Sequence, residues 1–172
     1  MSLATTPALP PLVHERPQDA PAVERLLMRA FGPGRLAKSA ERLREGREPI
    51  LDLSFVAWSG GEAVGCVRQW AVRIGDRPAI LLGPFAVDPD WRSQGLGAGL
   101  IVKACEAAAA AGHGLVILVG DEPYFGELGF STKPAARAVM PGPVDQRRVL
   151  VRALRPGADD ELEGEVTQAG PD

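Results

Sequence analysis

Arg92, Gly95 and Gly97 stand together in the run Phe85-Ala86-Val87-Asp88-Pro89-Asp90-Trp91-Arg92-Ser93-Gln94-Gly95-Leu96-Gly97-Ala98-Gly99. An apolar stretch closes at Pro89, a polar turn follows, and a long apolar-periodic segment opens at Leu100. That order predicts a strand, a tight loop and a helix whose first N–H groups have no intrahelical partners. Those N–H groups, the positive end of the helix dipole and the charge of Arg92 all favour an anion, a phosphorylated ligand above all. Glycine at 95 and 97 removes the side chains that would hold a pyrophosphate away from the backbone.

Two other glycine-rich chemistries do not fit. A dinucleotide fingerprint needs a third glycine where Leu100 stands, and an acidic residue on the following strand. A nucleoside-triphosphate loop needs Gly-Lys-Ser/Thr, which the chain lacks.

The elements that position this loop follow from periodicity and punctuation. Leu12 to Glu15 reads as a first strand. Asp19 then stands as an N-cap before Val23, Leu26, Leu27, Ala30 and Phe31, which share one helical face ended by Gly32. A second helix is expected over Arg35 to Glu45, with Leu36, Ala40 and Leu43 inward. Ser54–Trp58, Ala63–Ile74 and Pro78–Val87 form a three-strand antiparallel meander with turns at Ser59-Gly60-Gly61-Glu62 and Gly75-Asp76-Arg77. The alanine-rich helix runs from Gly95 to Ala111 and stops at Gly112. Leu115–Val119, wholly apolar, suits a central parallel strand. A short helix at Pro123–Leu128, a strand beginning at Phe130–Thr132 and a last strand at Val149–Leu154 complete the order.

At 172 residues and 45% hydrophobic, the chain has material for one well-filled core. Residues 1–11 read as a flexible leader, 12–155 as a single domain and 156–172 as an acidic disordered tail. That tail holds six of the 22 acids and no base, so 16 acids face 19 bases in the body, near +3. A mildly basic body suits a polyanionic ligand, and a solvated surface explains it equally well. No basic stripe with interleaved aromatics points to nucleic acid, and no apolar run has the length of a membrane span. Cys66 and Cys105 read as buried thiols, with no metal-ligand pattern around them; a cytoplasmic protein is expected.

The pattern Arg92-x-x-Gly95-x-Gly97 between strand and helix resembles the acyl-CoA-binding motif of the GNAT superfamily of N-acetyltransferases. The stretch Tyr124-Phe125-Gly126-Glu127-Leu128-Gly129-Phe130 is similar to that family's second signature. The resemblance runs from about Val13 to Leu154. It implies an α/β fold with a mixed central sheet, an antiparallel N-terminal meander, splayed central strands and flanking helices. It also implies acetyl-CoA as co-substrate and no metal. Arg92, Ser93, Gln94, Gly95, Leu96, Gly97 and Ala98 would hold the pyrophosphate, and Phe85, Ala86 and Val87 the pantetheine arm and thioester. The implied reaction is direct attack of a primary amine, carried by a small molecule or a peptide, on the thioester.

The family's usual general acid, a tyrosine five residues before the Phe of the Gly-Phe pair, falls on Phe125 here. Tyr124, one residue earlier, is the candidate acid; packing or a substrate wall is the other reading. Asp52, Glu62, Asp121 and Glu122 are carboxylates near strand ends, most readily read as solvated groups or caps, and His14 and His113 do not stand out as bases. Arg68, Gln69 and Arg73 alternate along a strand that would face either solvent or an acceptor cleft. Many relatives pair through late strands, so the resemblance makes Val149–Leu154 the candidate surface for a homodimer. A non-catalytic acyl-CoA-binding or regulatory module of the same fold is the alternative function.

Overall fold

The computed structural model describes residues 8–169. Residues 1–7 of the predicted leader and 170–172 of the predicted tail lie outside the described residues. The sheet is mixed and its strands run β1 (Leu12–His14), β2 (Phe55–Ser59), β3 (Glu62–Ile74), β4 (Arg77–Val87), β5 (Leu115–Val119), β6 (Ala138–Val139), β7 (Val149–Ala153) and β8 (Gly164–Gln168). The spatial path is β1-β2-β3-β4-β5-β7, with β4 and β5 parallel and the other neighbours on that path antiparallel. The predicted meander is therefore present, as is the central strand Leu115–Val119.

Helix α1 (Ala20–Phe31) packs Val23, Leu26 and Leu27 onto Val56, Cys66 and Ala86 on one face of the sheet. Helix α2 (Leu96–Ala110) covers the other face, where Leu96, Leu100, Ile101, Ala104 and Ala108 meet Phe55, Val67, Ile80 and Leu118. Each fully buried aliphatic side chain contributes about 1.5–3 kcal/mol, so α2 is anchored along its length. Gly65 lets the helix approach: a Cβ there would stand 2.9 Å from Leu100 Cδ1. The short helix α3 (Glu122–Phe125) continues as a 3-10 turn, Gly126–Leu128.

Four expectations need correction. The predicted second helix is two 3-10 turns, Pro33–Ala37 and Ser39–Leu43, separated by an extended Lys38. Side-chain bonds win over helix propensity there: Ser39 and Arg42 donate to the carbonyls of Pro143 and Pro141, and Leu36, expected inward, is 56% exposed. The strand at Phe130–Thr132 is reduced to one bridge, Ser131 with Val151, because the chain turns through Lys133–Ala135. Asp19 occupies the N-cap position of α1, but its carboxylate accepts from Arg16 instead of helix amides.

The acidic tail is not disordered within the described residues. β8 pairs antiparallel with Val72–Ile74 and parallel with β6, burying Leu162 and Val166. β3 is long enough to serve two partners along one edge, β2 over its first half and β8 over its second. Composition marked the segment by its charge, whereas its period-2 burial is what sets its structure.

Both cysteines are buried and unpaired. Burial pushes the Cys66 thiol up to about 12, and it raises Cys105 too, against the opposing charge of Arg152. The folded protein is expected to show no thiol to Ellman's reagent within the mixing time, and two after denaturation. A rapid reaction under native conditions would contradict this burial.

Candidate functional site

β4 and β5 pair only at Ile80 with Val116 and Leu81 with Ile117. Beyond that point β5 keeps β7 as its partner through Val119, while β4 continues to Val87 alone on that edge. The Asp88 N–H donates to the Val64 carbonyl, so strand alternation turns the polar groups of Ala86 toward β3. It turns those of Phe85 and Val87 toward the gap. Of the three sequence-assigned residues, two therefore offer backbone groups to the opening, and Ala86 contributes its place in the α1 core.

The loop after β4 makes a 3-10 turn at Pro89–Trp91, then two left-handed positions, Ser93 (φ 63°) and Gly95 (φ 89°). The first helical bond of α2 runs from Gly99 N–H to the Gly95 carbonyl at 3.0 Å. The N–H groups of Leu96, Gly97 and Ala98 are thus ahead of the ladder, at the positive end of the helix. Leu96 buries its side chain in the core and offers only its backbone. Arg92 donates from Nε to the Val87 carbonyl at 3.2 Å, which ties the loop to the end of β4. Gln94 donates to the Asp90 carbonyl at 3.1 Å.

Tyr124 converges on the same place. A Cβ built on Gly97 would stand 2.9 Å from the Tyr124 hydroxyl, 3.1 Å from Phe85 Cζ and 3.4 Å from Val87 Cγ2. The one-residue offset from the family pattern has a packing cause. Phe125 is buried edge-on against Phe85 and Phe130, with ring centroids 6.1 Å apart in each case, and fills the space above Gly120. Tyr124 meets Phe125 at 90° and sends its hydroxyl out of that cluster toward α2. Tyr124 is 44% exposed, and partial burial pushes its phenol above the ordinary tyrosine range. The phenol is protonated at neutral pH.

A cavity of about 460 Å3 is bordered by Pro84 of β4 and by Trp70, Arg68, Glu24, Arg35 and Arg44 among others. A chain of ion pairs lines it. Arg68 Nε meets Glu15 at 2.9 Å and its Nη1 meets Glu24 at 2.9 Å; Arg35 bonds Glu24 and lies 3.7 Å from Glu41, which meets Arg44 at 3.1 Å. Burial opposes the Arg68 charge, but the bonds and attraction of Glu15 and Glu24 outweigh it and raise its pKa. The side chains of Arg68 and Gln69 are buried instead of solvated, whereas Arg73 is exposed. The carboxylates considered from sequence, Asp52, Glu62, Asp121 and Glu122, are exposed and border none of this cavity. Glu15, Glu24 and Glu41 went unrecognised because they lie on three separate elements. The polar pair Arg68 and Gln69 inside the otherwise apolar run Ala63–Val72 of β3 was the available signal.

Residues 52–136 match the family model described as an acetyltransferase (GNAT) domain. The uncharacterized N-acetyltransferase YhbS of Escherichia coli strain K12 is 32% identical over 153 residues, covering 87% of this chain and 89% of that protein. The chain belongs to the GNAT superfamily of N-acetyltransferases, and its mixed α/β sheet is the GNAT fold. Among solved relatives, the crystal structure of Escherichia coli YhbS in complex with CoA has a TM-score of 0.80 at 27% identity, covering 97% of this chain and 94% of that one. A GNAT family acetyltransferase from Brucella melitensis in complex with acetyl-CoA has a TM-score of 0.68 at 25% identity, covering 92% and 95%. Among the described residues no helix is long and apolar enough to cross a membrane.

Proposed function

We propose that this protein transfers the acetyl group of acetyl-CoA to a primary amine by direct attack. One observation carries the reading: β4 leaves β5 beside the glycine-led N-terminus of α2, with the Tyr124 hydroxyl over Gly97. These residues fit an acyl-CoA. The approach to Gly97 is one that a side chain would fill, and the free edge of β4 can take strand-like amides that would otherwise leave backbone groups unpaired. The CoA and acetyl-CoA complexes of the two solved relatives support the same assignment. When bound, acetyl-CoA supplies the activated acyl group and a thiolate leaving group.

The chain's residues then divide the work. Leu96, Gly97 and Ala98 offer N–H groups to the pyrophosphate, with Arg92 as the adjacent charge and Ser93, Gln94 and Gly95 shaping the loop. Phe85 and Val87 present backbone groups to the pantetheine arm, and one N–H of the pair polarises the thioester carbonyl. Tyr124 holds a proton at Oη for the departing thiolate. The cavity on the α1 side admits the amine to the same gap from the opposite face.

The test begins with calorimetric titration by acetyl-CoA, with CoA and ATP alongside. Saturable binding of acetyl-CoA and CoA, but not ATP, is expected, followed by amine-dependent thiol release. Acetyl-CoA binding without any amine-dependent release would favour the non-catalytic module. Tyr124→Phe is expected to lower kcat by about 100-fold, the lower end for loss of a general acid, with little change in the KM for acetyl-CoA. Because burial raises the Tyr124 pKa, the alkaline limb it causes should lie on the alkaline side of an ordinary tyrosine and vanish in the variant. An unchanged kcat would assign Tyr124 to the wall of the cleft.

A further inference from the structure

The ion-pair chain Glu15–Arg68–Glu24–Arg35–Glu41–Arg44 alternates in charge, and its two ends differ. Arg68 and Arg35 each sit between two carboxylates. Arg44 has one, Glu41, and shares it with Arg35. Its side chain is only 13% exposed, yet its Nε is buried with no hydrogen-bond partner. Buried donors without partners are uncommon in folded proteins and cost about 1–3 kcal/mol each.

The position of that open end is informative. Arg44 Nη2 stands 2.9 Å from where a Cβ on Gly83 would lie, beside the segment in which β4 has left β5. The Gly83 carbonyl accepts from Trp70 Nε1 at 2.5 Å, and the hydrogen bond that Arg44 makes runs from Nη1 to Glu41. The cavity is of small-molecule size and bordered by both Arg44 and Pro84. Its arginine-bearing wall is fixed from behind: Gln168 on β8 donates to the carbonyls of Arg42 and Glu45, at 3.2 and 2.7 Å, on either side of Arg44. Nη1 is held by Glu41 and Nε is closed off from solvent, so Nη2 is the donor left to meet a ligand carboxylate at the cavity wall.

Building on the acetyl-transfer reading, we infer that Arg44 anchors a carboxylate on the acceptor, and that the acceptor is a small amino carboxylate of amino-acid size. A lysine side chain displayed on a protein surface brings no carboxylate of its own to this position. A free amino acid brings amine and carboxylate together, one for the gap and one for Arg44.

The test uses the full chain saturated with CoA and a panel of L-α-amino acids, β-alanine and 4-aminobutyrate, each paired with its carboxamide. Calorimetry is expected to show members of the panel binding at least tenfold more tightly than their carboxamides. In the thiol-release assay, Arg44→Gln should raise the acceptor KM at least tenfold with kcat little changed, and should erase the preference for the carboxylate. Arg44→Lys should keep part of it. Equal binding of acids and carboxamides, binding by neither, or a preference that survives in Arg44→Gln would overturn the inference. If Arg44→Gln does not fold, the wild-type comparison of acids with carboxamides still decides. Carboxylate-dependent binding without amine-dependent thiol release would sink the transferase reading and leave the Arg44 site standing.

Discussion

Gly97→Trp is expected to remove acetyl-CoA binding, with an affinity loss of at least about 100-fold, or roughly 2.7 kcal/mol. Gly97 follows the left-handed Gly95, and its N–H is one of the free donors at the start of α2. Even a Cβ at 97 would stand 2.9 Å from the Tyr124 hydroxyl and 3.1 Å from Phe85. An indole occupies the space where Tyr124, Phe85 and the helix N-terminus converge, and that is where the pyrophosphate is proposed to lie. The fold should survive, since Gly97 is partly exposed and the nearest atom is the end of a half-exposed tyrosine. Titration of the variant, with its melting curve beside that of the parent, checks both statements. Undiminished affinity in a folded Gly97→Trp protein would falsify the phosphate-loop assignment.

The second large effect concerns stability. Glu15→Ala is expected to cost about 3–5 kcal/mol, because it strips a buried guanidinium of the carboxylate that holds its Nε. Arg68 Nε lies 2.9 and 3.2 Å from the two Glu15 oxygens, and the two side chains are 8% and 2% exposed. Only Glu24 would then remain to balance Arg68, and its own carboxylate is shared with Arg35. The paired change Glu15→Leu with Arg68→Met removes both charges together and should cost far less than the single change. Urea unfolding of the parent, the single and the double variant reads the difference. Equal losses in the two variants would show that side-chain packing at these positions outweighs the ion pair.

The mildly basic body of the chain has a structural counterpart in this arrangement. Most cavity charge is internally balanced, so the net excess reflects surface groups more than an exposed basic pocket. The feature that net charge does not report is the unfinished end of the ion-pair chain at Arg44.

The local sequence determined the elements around the candidate phosphate site. Turn chemistry, apolar alternation and a glycine-led helix are short-range properties, and each is written within about fifteen residues of chain. The meander, α2, the central strand Leu115–Val119 and the loop from Arg92 to Ala98 all follow from such local rules. So does family membership, since both signatures are local patterns, and the comparisons bear it out.

Tertiary structure alone decided the rest. The Arg35–Glu45 segment has helical periodicity, yet Arg35 is drawn across to Glu24 and the side chains of Ser39 and Arg42 are tied to the carbonyls of Pro143 and Pro141, so it breaks into 3-10 turns. The acidic C-terminal segment looks solvated until β3 offers it an open edge, whereupon Val166 is buried and Gln168 braces the cavity wall. Phe125 displaces the expected tyrosine because Phe85, Phe130 and Gly120 build a slot for an aromatic ring, leaving Tyr124 to face α2. Glu15, Arg68, Glu24, Arg35 and the local pair Glu41–Arg44 come from different stretches of the chain and meet only when the sheet and α1 close upon them. Pairing energies between residues distant in the chain depend on which surfaces are buried together, and no local pattern encodes that choice.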